Sequence, residues 1–243
     1  MYNVARNYLY NLMHKAILYI VATPIGNLQD ITLRAISTLK SVNYIACEDT
    51  RKTGMLLKSL QVVHKPMLIS YYEQVEQARI PNILNILKNG EDVALVSDSG
   101  TPGISDPGFR LVRTCLEEGI KVVSIPGPSA LISAIVSSGL PTDKLIFLGF
   151  LPKKEGHRVK LLEETKEANK NLEATVIIYE APHRLAKSLN SIQSVFGNIQ
   201  LVLMRELTKI HEERISDSVE NLIGKYKKSN SRGEFVILFN PKV

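Results

Sequence analysis

Through the first half of the chain, short Val- and Ile-rich runs alternate with helical stretches, and this alternation constrains the fold more than any other feature. Ile17–Thr23, Tyr44–Cys47, Met67–Ser70, Val93–Ser97 and Lys121–Ile125 read as strands. Ile31–Lys40, Arg51–Leu60, Ile80–Lys88, Gly108–Glu118 and Ala130–Ser138 read as the helices between and after them. Strands separated by helices imply right-handed crossovers and a mainly parallel sheet covered on both faces. Val93-Ala94-Leu95-Val96 is apolar throughout, as a strand buried on both faces must be. The expectation is an α/β, doubly wound N-terminal domain over residues 17–139, preceded by an extension over 1–16.

Gly139 to Asp143, then Gly149 and Pro152, interrupt the pattern. The charged stretch Lys153–Lys170 alternates in sign like a solvated helix. Strand candidates follow at Ala174–Tyr179, Gln200–Arg205, Glu212–Ser216 and Glu234–Phe239, with Pro182 in the first turn of a helix running to about Val195. Four strands with fewer helices predict a second α/β domain with a mixed sheet over 140–243.

Composition narrows the chemistry. Cys47 and Cys115 each sit in an apolar stretch and read as small core residues of a reducing compartment. No run approaches the roughly 20 apolar residues of a membrane helix. The five histidines are scattered, and His211-Glu212-Glu213 lacks the second histidine of a zinc-hydrolase helix, so no metal is expected. Met1–Lys15 carries Arg6 and Lys15 but no apolar core or cleavage site, and reads as a frayed terminus or as sequence upstream of a start at Met13. A net charge of +6 and a pI near 9.2 favour an anionic partner.

In an open parallel sheet, ligands bind beyond the carboxyl ends of the strands. There the sequence places Thr23-Pro24-Ile25-Gly26-Asn27, Glu48-Asp49-Thr50-Arg51, Ser97 to Gly108, and Pro126-Gly127-Pro128-Ser129-Ala130. The first loop holds one glycine where a dinucleotide fingerprint needs three, and no Gly-Lys-Ser/Thr follows it. An ordinary strand-to-helix turn explains Pro24 and Gly26 equally well. The long loop is more demanding: Gly100, Gly103 and Gly108, with Gly119 nearby, join Pro102 and Pro107 to set a rigid path. Asp98, at a strand's end, suits a ligand's amine or ribose hydroxyls, whereas Asp106 reads as a helix cap or turn former.

These runs resemble the ribosomal RNA small subunit methyltransferase I family. The likeness is carried by Ile20 to Leu28, Glu48 to Arg51, Val96 to Pro102, Ser105 to Gly108 and Gly149 to Lys153. It continues through Tyr179 to Leu185, Arg205 to Lys209 and Arg232 to Val236, and covers about Ile17 to Phe239. The family belongs to the tetrapyrrole methylase-like, class III methyltransferases. The resemblance implies two α/β domains with S-adenosylmethionine in the cleft between them, a homodimer and a cytoplasmic location. It also implies transfer of a methyl group to the ribose 2′-hydroxyl of a cytidine in the decoding region of 16S rRNA, within the small ribosomal subunit. Similarity to the wider fold implies cofactor contacts from Pro24, Asp98, Ser99, Thr101, Ser129, Ala130, Tyr179 and Leu207. Gly103 stands where the family more often has a bulkier apolar residue, and many relatives continue past the equivalent of Val243 into a small helical extension.

A sulfonium methyl is a strong electrophile, so the chief task is alignment of the nucleophile, helped by a base or an orienting cation. Candidates are Glu48, Asp49 and Arg51, then Glu180 and Arg184; an ion pair at the strand's end explains Arg205-Glu206 as well, and His183 reads better as a helix-start residue. Lys153, Lys154, Arg158 and Lys160 are candidates for phosphate contact. Lys225, Lys227, Lys228 and Arg232 fit a solvated helix end better. No basic stripe interleaved with aromatics appears, so recognition is expected to depend on RNA shape. The alternatives are a small-molecule, tetrapyrrole-type methyltransferase of the same fold and a non-catalytic RNA-binding factor. The first conflicts with the Glu48–Arg51 and Ala181–Arg184 motifs, the second with the intact Asp98 loop.

Overall fold

The computed structural model describes residues 16–227 and 232–242. The segment Met1–Lys15 and the candidate Lys228 lie outside the described residues. The chain divides into two compact units, the first ending at Ser129 and the second beginning at Ala130, ahead of the boundary expected at residue 139.

In the first unit, β1 (Ile17–Val21), β2 (Tyr44–Cys47), β3 (Met67–Ser70), β4 (Val93–Val96) and β5 (Lys121–Ile125) form a parallel sheet in the order β3-β2-β4-β1-β5. The helices are α1 (Leu33–Ser41), α2 (Thr50–Ser59), α3 (Glu76–Lys88) and α4 (Phe109–Glu117). Strand alternation sorts the apolar runs onto two faces. Leu18, Val93 and Leu95 pack with Ile83, Leu87, Leu111 and Cys115 of α3 and α4. Val21, Ala94 and Val96 pack with Ala35, Leu39 and Leu57 of α1 and α2 on the opposite face. Both cysteines are buried and free. Each large aliphatic side chain so buried contributes about 1.5–3 kcal/mol, which accounts for strands with no polar side.

The second unit begins with α5 (Ala130–Ser138) and β6 (Leu145–Phe150), then α6 (Glu155–Asn169), β7 (Thr175–Glu180) and α7 (Leu185–Phe196). It ends with β8 (Gln200–Arg205), β9 (Glu213–Ser218), α8 (Val219–Tyr226) and β10 (Phe235–Phe239). Its sheet is mixed, in the order β6-β7-β10-β8-β9, with only β6 and β7 parallel. The sheet therefore has five strands where the sequence suggested four. Gly149, the apparent breaker, has φ +62 and sits where the register of β6 shifts between Phe147 and Phe150, so it bends the strand without ending it. One face packs Val176, Ile178, Leu203, Ile237 and Phe239 against Leu162, Leu189 and Ile192 of α6 and α7. Against the other lies α5, alongside β10 and β8.

Candidate active site

At the carboxyl edge of the parallel sheet the loops are tied to one another strand by strand. Thr23 and Gly100 form a two-way backbone bridge, Thr23 N to Gly100 O at 2.9 Å and Gly100 N to Thr23 O at 3.0 Å. This bridge explains why β1 ends at Val21 and not at the expected Thr23: the chain leaves the sheet to clasp the loop after β4. Gly100, Gly103 and Gly108 all have positive φ, as does Ser105 at φ +63. A Cβ on Gly108 would crowd Leu95 Cδ2 at 3.1 Å and Gly103 N at 3.3 Å, at a φ of +149 that side-chain-bearing residues rarely adopt, so the position favours glycine. Thr101 Oγ1 donates to Pro128 O at 3.1 Å and joins the loop after β4 to that after β5.

Asp98 is the node of this edge. Its backbone N–H donates to Glu48 Oε1 at 3.1 Å, while its Oδ1 accepts the Asp49 N–H at 3.1 Å and its Oδ2 the Lys52 ammonium at 2.7 Å. Burial pushes the Glu48 carboxyl above the usual carboxylate range, the Asp98 charge adds to it, and the Asp98 N–H and Lys52 offset only part. Asp49 caps α2 by accepting the Arg51 N–H at 2.9 Å, and the Arg51 guanidinium folds back onto it at 2.7 Å. Those contacts hold Asp49 well below the usual carboxylate range. Lys52, absent from the expected site, is raised by the Asp98 carboxylate. Forty-six residues separate it from its partner, so nothing local in the sequence announces the pair.

Pro24, Thr101, Ser129 and Ala130 are half-buried and Ser99 is exposed. The expected cap Asp106 yields its place to Gly108, the N-cap of α4. No group of three or more His, Cys, Asp or Glu among the described residues could hold a metal ion. No helix among them is long and apolar enough to cross a membrane.

In the second unit, Glu180 and Arg184 come together. Glu180, 1% exposed, accepts the Ala181 N–H at 2.9 Å and the Ser188 hydroxyl, and lies 3.4 Å from Arg184 Nε. Arg184 also donates to Leu151 O, so the pair is occupied with holding the loop ahead of α7. His183 beside it is exposed. Tyr179 is half-buried, edge-on to Phe147 and Phe150 with ring centroids 4.8 and 5.8 Å away. Leu207 is buried between two non-glycine residues of positive φ, Glu206 at +51 and Thr208 at +66. Glu206 takes Lys209 Nζ at 2.9 Å and the Glu234 N–H at 3.0 Å, while Arg205 pairs with Glu213 at 3.4 Å.

One expectation is corrected. Arg158 is 4% exposed and donates to Ser191 Oγ, Pro152 O and Lys153 O, because α6 turns it toward α7 and the chain behind it; it is not available to phosphate. Lys153, Lys154 and Lys160 are exposed. Lys225 pairs with Glu213 at 3.6 Å, and Lys227 and Arg232 are exposed.

Residues 17–223 match the model of the tetrapyrrole (corrin/porphyrin) methylases. The chain belongs to the tetrapyrrole methylase family. Within that family it is 47% identical to the ribosomal RNA small subunit methyltransferase I of Hydrogenobaculum sp., over 92% of this chain and 95% of that one. With the Thermotoga maritima protein of the same name it shares 43%, covering 93% and 98%. With that of Halalkalibacterium halodurans it shares 43% over 92% of this chain and 75% of the relative. Solved family folds include cobalt precorrin-4 methyltransferase, a cobalamin biosynthetic enzyme (TM-score 0.66, 15% identity, covering 91% of this chain and 93% of that one). Uroporphyrin-III-C-methyltransferase from Thermus thermophilus is another (0.63, 17%, 93% and 95%). At that identity the likeness concerns the fold.

Proposed function

We propose that this chain is an S-adenosylmethionine-dependent methyltransferase that modifies a cytidine ribose 2′-hydroxyl in the decoding region of 16S rRNA. We place its action on the small ribosomal subunit, in the cytoplasm, as a homodimer. The observation that carries the reading is the 40–47% identity, over at least 91% of the chain, to proteins named for methylating the small-subunit RNA. The tetrapyrrole enzymes of the same fold reach only 15–17%.

The donor set suits the cofactor. S-adenosylmethionine carries a sulfonium, an ammonium and a ribose diol, all of which favour carboxylates and backbone carbonyls held out of bulk water. The edge supplies Asp98 on a glycine-shaped loop and Glu48 on the neighbouring loop after β2, with open space beside Gly103. We assign binding to Pro24, Asp98, Ser99, Thr101, Ser129 and Ala130, and to Tyr179 and Leu207 of the second unit. When bound, the cofactor supplies an activated methyl group. Among the candidate catalytic residues, Glu48 best suits acceptance of the ribose proton, because burial raises its proton affinity toward that of a useful base. Arg51, 86% exposed in its side chain, can meet a phosphate, while Asp49 orients it. Glu180 and Arg184 are positioning residues for the loop that follows Tyr179.

Alkaline hydrolysis tests the acceptor. Cleavage of RNA by base needs a free 2′-hydroxyl, so small subunits treated with enzyme and cofactor should yield a ladder lacking one band at a decoding-region cytidine. Methyl label in RNA with every band intact would make the acceptor a base. Label in a tetrapyrrole and not in RNA would transfer the activity to the small-molecule branch. Light scattering that reports a particle near the chain mass of 27.1 kDa would contradict the dimer.

A further inference from the structure

Behind the loop after β4 lies a buried carboxylate that the proposed chemistry does not use. Glu76, the first residue of α3, is 7% exposed. Its Oε1 accepts two donors, the Tyr71 hydroxyl at 2.8 Å and the Gly108 N–H at 3.2 Å. Arg110 Nε stands 4.0 Å from Oε2, its side chain 58% exposed. Tyr71 follows directly on β3 and is fully buried. Gly108 closes the Ser97–Gly108 loop in a conformation and a space that favour glycine, and caps α4 without any side-chain hydrogen bond. The near end of that loop is fixed at Asp98 by Glu48, at Gly100 by Thr23 and at Thr101 by Pro128. Its far end is tied to the rest of the unit by Glu76.

A buried N–H and a buried hydroxyl that lose their acceptor must find another or remain unpaired, at a cost that outweighs one hydrogen bond's net worth. The loop can avoid that cost by shifting Gly108, and a shift there alters the path back to Asp98. Resting on the functional reading above, we infer that Glu76 is a positioning residue for S-adenosylmethionine: its carboxylate holds the Gly108 end of the loop and thereby sets cofactor affinity without touching the cofactor.

Two readouts on the full chain test this, amide hydrogen exchange over Gly100–Gly108 and calorimetric titration with S-adenosylmethionine. Glu76→Ala should speed loop exchange and weaken binding by roughly tenfold or more each, the change that follows when one buried bond of this kind is lost. Glu76→Gln, whose amide oxygen can serve both donors, should restore both. Ile83→Ala, in the same helix and the same core, should lower the melting temperature while leaving loop exchange and affinity near wild type. If the alanine variant does not fold, Glu76→Asp, which withdraws the oxygen from Gly108 but keeps the charge, should show the same two effects at smaller size. Loop exchange in both Glu76→Ala and Glu76→Asp equal to that of Ile83→Ala overturns the inference, as does a glutamine variant as weak as the alanine one. Wild-type protein that fails to bind the cofactor overturns the functional reading instead, and the exchange measurements then decide the loop anchor alone.

Discussion

The two units hold irregular loops at their strand ends by different means. In the first, the turn from Ser97 to Gly108 takes its shape chiefly from glycines at φ +83, +83 and +149, where the backbone itself permits the conformation, with Ser105 at φ +63 the one side-chain-bearing exception. In the second, the turn around Leu207 puts Glu206 and Thr208 at positive φ with side chains attached, a conformation that costs about 1–3 kcal/mol per residue and must be held from outside. Glu206 supplies that hold by donating its N–H to Glu234 O, by accepting the Glu234 N–H on its carboxylate and by gripping Lys209, and Gly233 leaves the room it needs. Both loops are anchored by a carboxylate, but most of the strained positions are glycines in the first and both carry side chains in the second, so they should respond differently to substitution there.

The largest effect is expected where a clamp is buried. Glu180→Ala leaves Arg184 and Ser188 without their acceptor and should destabilise the fold by about 3–5 kcal/mol in urea unfolding. A loss below 1 kcal/mol would mean that the second unit does not depend on the pair.

Two glycines then separate the strategies. Gly233→Ala meets Glu206 Cγ at 2.5 Å and its carboxylate at 2.8 Å, with φ at +95, and should cost about 2–4 kcal/mol while displacing the clamp. Gly103→Ala meets nothing within 4 Å and should cost only the left-handed backbone term of about 1–2 kcal/mol. Equal losses in denaturant titrations would show that sterics do not distinguish the loops.

A smaller effect separates them by pH. Burial alone would raise the Glu206 carboxyl, but Lys209 and the Glu234 N–H outweigh it and leave the group lowered. A lowered carboxylate contributes stability above its unfolded value of about 4.3, and that contribution fades as pH falls through the folded value. Amide protection at residues 205–212, corrected for the intrinsic exchange rate at each pH, should therefore fall below about pH 4 by an amount worth less than about 1 kcal/mol, since the pair is partly solvated. A loss of that corrected protection on raising the pH from 5 to 8 would reverse the sign and remove the clamp's electrostatic basis.

Much of the first unit was legible because periodicity and burial agree there. Four-residue apolar runs such as Val93–Val96 have no polar face to offer, so only a sheet covered on both sides accommodates them. The loops at the carboxyl edge were legible for a related reason, since their glycines record backbone needs that no other residue meets. Gly149 misled, because a strand bulge and a loop call for the same residue. Arg158 misled as well: its charge suggests solvent or phosphate, and only the packing of α6 shows its guanidinium spent on a hydroxyl and two carbonyls. Glu76 and Lys52 carry no local signal for their roles, because Gly108 and Asp98 lie on another loop and come within reach only when the sheet assembles.

The central claim is that the edge organised by Asp98 binds S-adenosylmethionine for transfer to small-subunit RNA. Titrating labelled cofactor against unmodified small subunits, with wild type and Asp98→Ala in parallel, tests it most directly. Wild type should place label in 16S rRNA, and the variant, still folded by its melting curve, should need cofactor concentrations raised in proportion to a loss of about 1–3 kcal/mol in affinity. Label incorporation with unchanged cofactor dependence in the variant, or none in wild type, would contradict the account.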